Sequence, residues 1–180
     1  MSINDDDLVI TSPTFLPMNH TTRIGGENNR ELLDISEVNS VFMPGMIKNN
    51  SDFSDVNYNQ YSKIFIFNKN FNDNFYDVRV YGYNVNKNNV IKMSLEKNNL
   101  GNVILNGEEL IKDRETQPSL YNSYEFTEVN SDNAMYIGNN GTLSSRTSQG
   151  VWLKMNLNAS NTESALDTFN LCVKYRKEEL

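Results

Sequence analysis

Cysteine and histidine are nearly absent from this 180-residue chain, which holds only Cys172 and His20. A single cysteine cannot form an intrachain disulfide, so cysteine usage does not report the redox compartment. Metal sites built on pairs of His or Cys are excluded by count. A Ser–His–Asp or Cys–His nucleophile would have to use His20, which stands in a polar stretch flanked by Pro17 and has no nucleophile motif beside it. No Gly-x-Ser-x-Gly elbow occurs anywhere. Positive charge is also scarce, with 16 Lys and Arg against 23 Asp and Glu and a net charge of −7. Proteins that bind phosphate backbones need a basic stripe to release counterions. None is present, so neither nucleic acid nor an anionic membrane surface is expected as a partner. The longest strongly apolar run, Ile64 to Phe67, is far below the roughly 20 residues a membrane-spanning helix needs. Residues 1–10 carry Asp5, Asp6 and Asp7 and no positive n-region, which argues against a signal peptide.

What the chain has in excess is asparagine, 30 residues of it. Asn, Asp and Gly favour turns and weaken strand interiors, so many short strands with long connections are expected. Four Asn-x-Ser/Thr sequons, at Asn19, Asn49, Asn140 and Asn158, are read as chance in so Asn-rich a sequence. A chain of this size can bury roughly 70% of its unfolded surface and build a core without staples.

The pattern divides near residue 58. Residues 1–57 carry little two-residue alternation and read as an N-terminal arm, partly irregular. Within it, Leu8-Val9-Ile10 fits a short strand, Pro13 and Pro17 break regularity, and Gly25-Gly26 marks a tight turn or a close backbone approach. Leu32 to Phe42 has mixed spacing. From Tyr61 the alternation is clear. Strands are predicted over 61–68, 76–83, 90–96 and 151–157, with a closing strand over 168–175 and weaker ones near 103–105, 124–127 and 134–137. Asn106-Gly107 reads as a hairpin turn. In the third of these strands Ile91, Met93 and Leu95 are expected to face inward, and Lys92, Ser94 and Glu96 outward. Short strands with turn signals and no long helices between them predict an all-β domain over 58–180, an antiparallel β-sandwich of Ig-like or jelly-roll-like type.

Few residues suggest chemistry. Cys172 alternates against Phe169, Leu171 and Val173 and reads as a half-buried small side chain. The acidic groups Asp5 to Asp7, Asp52 and Asp55, and Glu108, Glu109, Asp113 and Glu115 do not match calcium-loop spacing and read as solvated charge runs. Gly25-Gly26 lacks the Lys-Ser/Thr end of a phosphate loop. No catalytic residue, metal site or cofactor is expected. The most informative set is aromatic. If Ile64, Ile66, Val78 and Val80 face the core, then Phe65, Phe67, Tyr81, Tyr83 and Trp152 face away from it. A second face so rich in aromatics is costly to leave wet. Either the N-terminal arm covers it or a neighbouring subunit does, since such clusters are enriched at interface hot spots. Stacked sugars are a third option.

Three segments in order resemble a group of bacteriophage virion structural proteins with a β-sandwich domain. They are Arg23-Ile24-Gly25-Gly26 followed by Asn39-Ser40-Val41-Phe42; then Tyr61 through Asn68 (YSKIFIFN); then Gly150-Val151-Trp152-Leu153-Lys154 with Ala159 and the strand Phe169-Asn170-Leu171-Cys172-Val173. Together they span residues 23–175. The chain departs from the pattern after Trp152, where Lys154 is the single basic residue before Met155, and over 106–133. The resemblance implies a structural subunit of the virion without enzyme activity: a capsid decoration or head–tail neck protein. Its partners would be capsid, portal/connector or tail proteins, with copies in a homo-oligomer or symmetric array. The alternative is a receptor- or carbohydrate-binding module of a tail or baseplate, in which the Asn-rich loops and exposed Tyr contact glycan and substitution of Trp152 or Tyr83 abolishes sugar binding.

Overall fold

In a computed structural model, residues 7–15, 23–32, 58–84, 91–112, 116–118, 124–157 and 169–177 are described. They form ten strands and no α-helix. In chain order these are β1 (Leu8–Phe15), β2 (Ile24–Leu32), β3 (Tyr58–Asn68), β4 (Tyr76–Asn84), β5 (Ile91–Leu95), β6 (Leu110–Ile111), β7 (Thr127–Glu128), β8 (Met135–Tyr136), β9 (Ser148–Leu157) and β10 (Phe169–Arg176). Every pair is antiparallel. One sheet has the order β6-β2-β1-β3-β9-β5-β7 and the other β10-β4-β8. The fold is therefore all-β and two-sheeted, as the alternation predicts.

The longest ladder joins β3 to β9 without a register break, from Tyr58↔Leu157 to Phe67↔Ser148. Because side chains alternate, this register fixes two faces. Ile64 and Ile66 share one face with Val151, Leu153 and Met155, and β5 adds Met93 to it. That face meets Val78, Val80 and Ile137 from the smaller sheet, together with Phe75 and Leu143, in one buried cluster. Phe75 packs edge-on against Tyr175 of β10, with centroids 5.0 Å apart. This is the core between the sheets, and it matches the inward set expected from the sequence.

The N-terminal segment is not a separate arm. β1 pairs with β3 from Leu8↔Asn68 to Thr11↔Phe65, and β2 pairs with β1. Two central strands of the large sheet thus lie before residue 58, and the predicted boundary divides no structural unit among the described residues. The short strand expected at Leu8 to Ile10 is real and longer. Pro13 falls inside it, past the last β1–β3 pair and between the two register shifts of the β1–β2 ladder, a bulged position of the kind where proline is tolerated. The β1–β2 register shifts twice, between Thr11 and Pro13 and between Pro13 and Phe15. Such bulges bend and twist a strand, and β2 comes to lie over the second face of β3 (next subsection).

The asparagines earn their number in the turns. Asn68 donates to the carbonyls of Asp73 (2.9 Å) and Leu143 (3.1 Å), and its own side-chain oxygen accepts the Asn70 amide. Asn70, Asn98 and Asn130 each accept two backbone amides through one side-chain oxygen. These side chains replace missing ladder partners and hold irregular backbone without a helix or sheet. Asn140-Gly141 forms a tight hairpin turn, with φ of 51° and 89° and reciprocal Asn139–Thr142 bonds. Asn106-Gly107, by contrast, is not the hairpin turn its sequence predicts. The chain reverses earlier, across the Lys97–Val103 bridge, and Asn106 instead pairs with Ser148.

Since β1 and β2 are integral to the sheet, a fragment containing only residues 58–180 is expected to lose cooperative folding. Far-UV circular dichroism and urea titration of that fragment against the full chain check this; a cooperative transition in the fragment would contradict it.

Candidate functional site

The second face of the large sheet carries Tyr61, Lys63, Phe65 and Phe67 from β3 and Trp152 from β9. The chain itself covers it. Tyr61, Phe65, Phe67 and Trp152 are 2%, 0%, 4% and 0% exposed. The lid comes from three segments: Gly25-Gly26 of β2, residues 107–111 including β6, and Tyr124 with Phe126. Phe65, Phe67 and Trp152 are therefore interior residues, and the expectation that a partner or a sugar stacks on them does not hold. Burial by part of the N-terminal segment, one of the three options open from sequence, is what occurs, joined by residues 107–111 and by Tyr124 with Phe126, which the sequence did not reveal. Tyr81 is half-buried on β4, with Lys174 Nζ 4.8 Å from its ring centroid. Tyr83 lies in the same strand, but its side chain, like His20, Asp52, Asp55, Asp113 and Glu115, is outside the described residues.

At the centre of this covered face is an ion pair. Lys63 Nζ lies 2.8 Å from Glu96 Oε1, and neither side chain is exposed. Lys63 also donates to the carbonyls of Gly26 (2.8 Å), Glu109 (3.3 Å) and Gly107 (3.4 Å). Its ammonium sits 4.7 Å from the Phe65 ring centroid and 5.4 Å from that of Trp152, in reach of both π faces. Glu96 Oε1 accepts the Glu109 amide at 2.7 Å. The Glu109 carboxylate in turn accepts from Trp152 Nε1 at 3.1 Å and from the Tyr124 hydroxyl, which itself accepts the Lys97 amide at 3.0 Å. One continuous network thus joins β3, β9, the residue after β5 and all three lid segments.

Glycines make the room. A Cβ on Gly107 would lie 2.2 Å from Glu96 Cδ, and one on Gly150 would lie 2.1 Å from Glu96 Oε2. Gly25, at φ +101°, brings its backbone against Trp152 and the Glu109 carbonyl, where a Cβ would collide with both. The close backbone approach predicted for Gly25-Gly26 is this one.

Burial pushes the Lys63 amine down and the Glu96 carboxyl up from their ordinary values, while each partner's charge pulls the other back. Burial, reinforced by the hydrogen bond to Glu109, raises the Tyr124 hydroxyl well above the usual tyrosine value. Glu96 and Ser94 were expected to face solvent and do not; they are 0% and 2% exposed. Glu109, read as part of a solvated acidic run, is 8% exposed, whereas its neighbour Glu108 is exposed. Lys92, on the same face of β5, is exposed as expected, so the cover closes over the Ser94 and Glu96 end of the strand only. A Lys in the middle of an aromatic strand was the available signal, because an unpaired charge there could not be buried. Among the described residues, no three His, Cys, Asp or Glu side chains converge as a metal site would require, and no helix is long and apolar enough to cross a membrane.

The surface offers less. A shallow groove of about 470 Å³ is lined by Asp77, Arg79 and residues 173–175. Arg79 and Arg176 both pair with Asp77 there, at 2.7 and 3.4 Å. The largest exposed apolar side chains are Leu100 (83%), Phe71 (74%) and Leu32 (66%). Phe71 follows the end of β3, and Leu100 and Val103 follow the end of β5. The registers Phe67↔Ser148 and Leu95↔Val151 put those two ends at the same end of the large sheet. Arg146 reaches the same place, 4.4 Å from the Phe71 ring centroid. No family model, curated protein or solved structure matches this chain.

Two outcomes follow from the network. Lys63→Met strands a buried carboxylate, so a loss of about 3–5 kcal/mol is expected in urea unfolding; a change below about 0.5 kcal/mol, the size of an ordinary surface substitution, would show the pair to be unimportant. Above pH 10 the unfolded chain releases the Tyr124 proton while the folded chain keeps it. Stability must then fall with rising pH, by about 1.4 kcal/mol per pH unit for this group. Tyr124→Phe should make that alkaline slope shallower, as read from unfolding curves between pH 9 and about 11.

Proposed function

We propose that this protein is a structural subunit of a bacteriophage virion, acting through protein–protein contacts as a capsid decoration or head–tail neck protein. The observation that carries the reading is how the ionisable side chains are used. The convergent groups Lys63, Glu96 and Glu109 are spent on one another inside the fold. A substrate-processing site exposes such groups in a concave pocket; here they hold a sheet in shape. Rigid two-sheet domains, Ig-like and jelly-roll-like alike, present loops and edges to neighbours. The ordered resemblance of residues 23–175 to virion proteins points the same way, as does the lack of a basic stripe.

The contact surface in this reading differs from the aromatic set read from sequence. It is the end of the large sheet bearing Phe71, Leu100 and Val103, with Arg146 beside them. Exposed apolar side chains at this end of the sheet are available for contact with a neighbour. For the glycan-binding alternative Trp152 is ruled out as a stacking residue, because it is sealed from solvent.

The test is occupancy on particles. The chain should copurify with virions at a copy number set by capsid or connector symmetry. Phe71→Ala with Leu100→Ala should lower that occupancy at least tenfold while leaving the urea midpoint of the free chain within the spread of surface substitutions, about 0.5 kcal/mol. Absence from purified particles would sink the reading.

A further inference from the structure

The Lys63–Glu96 pair has one atom out of balance. Glu96 Oε1 has two donors, Lys63 Nζ at 2.8 Å and the Glu109 amide at 2.7 Å. Glu96 Oε2 is buried beside Gly107 and Gly150 with no hydrogen-bond partner. A buried carboxylate oxygen without a donor is costly, since charge-assisted bonds to water are given up for nothing. Of the four contacts of the amine, two are short and two are long, the latter to Gly107 and Glu109 at 3.4 and 3.3 Å.

We propose that Lys63 and Glu96 condense into a side-chain amide, a covalent cross-link between β3 and the residue that follows β5. In the amide the orphaned oxygen is gone. The remaining carbonyl, Oε1, keeps the Glu109 N–H. The remaining N–H of Nζ has the Gly26 carbonyl, 2.8 Å from Nζ in the ion pair, as its acceptor. Every polar atom left on the two side chains then has a partner, which is not so for the ion pair.

The step balances without a co-reactant. A proton passes from the Lys63 ammonium to the Glu96 carboxylate, giving an amine and a carboxylic acid. Burial favours this neutral pair over the charged one. The Nζ lone pair attacks Cδ and forms the C–N bond. In the tetrahedral intermediate Nζ passes a proton to Oε2. Oε2 then takes the acid proton from Oε1, the C–Oε2 bond breaks and that oxygen leaves as water, and Oε1 re-forms the carbonyl. Nothing is oxidised or reduced. Geometry supplies the rest. The 2.8 Å contact with Oε1 holds the amine one bond away from the carboxyl carbon it must attack. Negative charge developing on Oε1 meets the Glu109 N–H, already in place at 2.7 Å. Both side chains are 0% exposed, and the rings of Phe65 and Trp152 flank the amine, so bulk water is kept from the reverse hydrolysis.

The inference is independent of the virion reading, and its test needs only the purified full-length chain. Its mass, measured under denaturing conditions, should fall short of the sequence mass by one water. A tryptic digest should lack cleavage after Lys63 and contain a branched peptide holding both Lys63 and Glu96. The Lys63→Arg chain, which has no competent amine, should show its full sequence mass whether or not it folds. A wild-type chain at full mass, with free Lys63 and Glu96 peptides, overturns the proposal. So does a water deficit that maps to other residues or persists in Lys63→Arg.

Discussion

A charged pair enclosed by aromatic rings governs how this chain is arranged. Lys63 points from the middle of a hydrophobic strand into a space with no water. It is tolerable there only because Glu96 and three backbone carbonyls converge on it. Those carbonyls belong to Gly26, Gly107 and Glu109, which is to say to two of the three segments that lie over the sheet. Packing alone would let such lids slide. A lysine with directional donors lets them sit in one place, and the three glycines at the contacts remove the side chains that would keep them away.

The two faces of the large sheet are therefore held by different physics. Between the sheets, Ile64, Ile66, Val78, Val80, Val151 and Leu153 interlock without polar atoms, and burial of apolar area drives the packing. Across the other face, large rings fill volume while hydrogen bonds fix position. Trp152 serves both ends, with its ring against Gly25 and the Lys63 ammonium and its N–H on the Glu109 carboxylate. In the proposed role, contacts with neighbours fall to loops and sheet ends, because the chain covers Tyr61, Phe65, Phe67 and Trp152 from within. Sequence spends its asparagines in those loops, where their side chains stand in for backbone partners.

Much of this was legible from two-residue alternation. It located β3, β4, β5, β9 and β10 and assigned their inward side chains, because the inter-sheet core obeys a simple rule. It also placed Gly25-Gly26 at a close backbone approach. What it could not show was the curl. Alternation tells which residues share a face but not what covers that face, so Phe65, Phe67 and Trp152 read as available when they are interior. Ser94, Glu96 and Glu109 read as solvated for the same reason. The β1–β2 ladder was hidden because its register shifts and Pro13 erase the pattern. Asn106-Gly107 resembled a hairpin turn, but its glycine serves the Glu96 carboxylate instead. Each miss is a place where a contact distant in sequence overrode a local rule.

The most direct check uses the chain's lone tryptophan as a reporter of the covered face. In the dilute, isolated protein, Trp152 fluorescence should be blue-shifted and nearly insensitive to acrylamide, because the lids belong to the same chain. Red-shifted emission that acrylamide quenches readily, and that recovers only when particles are added, would mean the face stands open until a partner closes it.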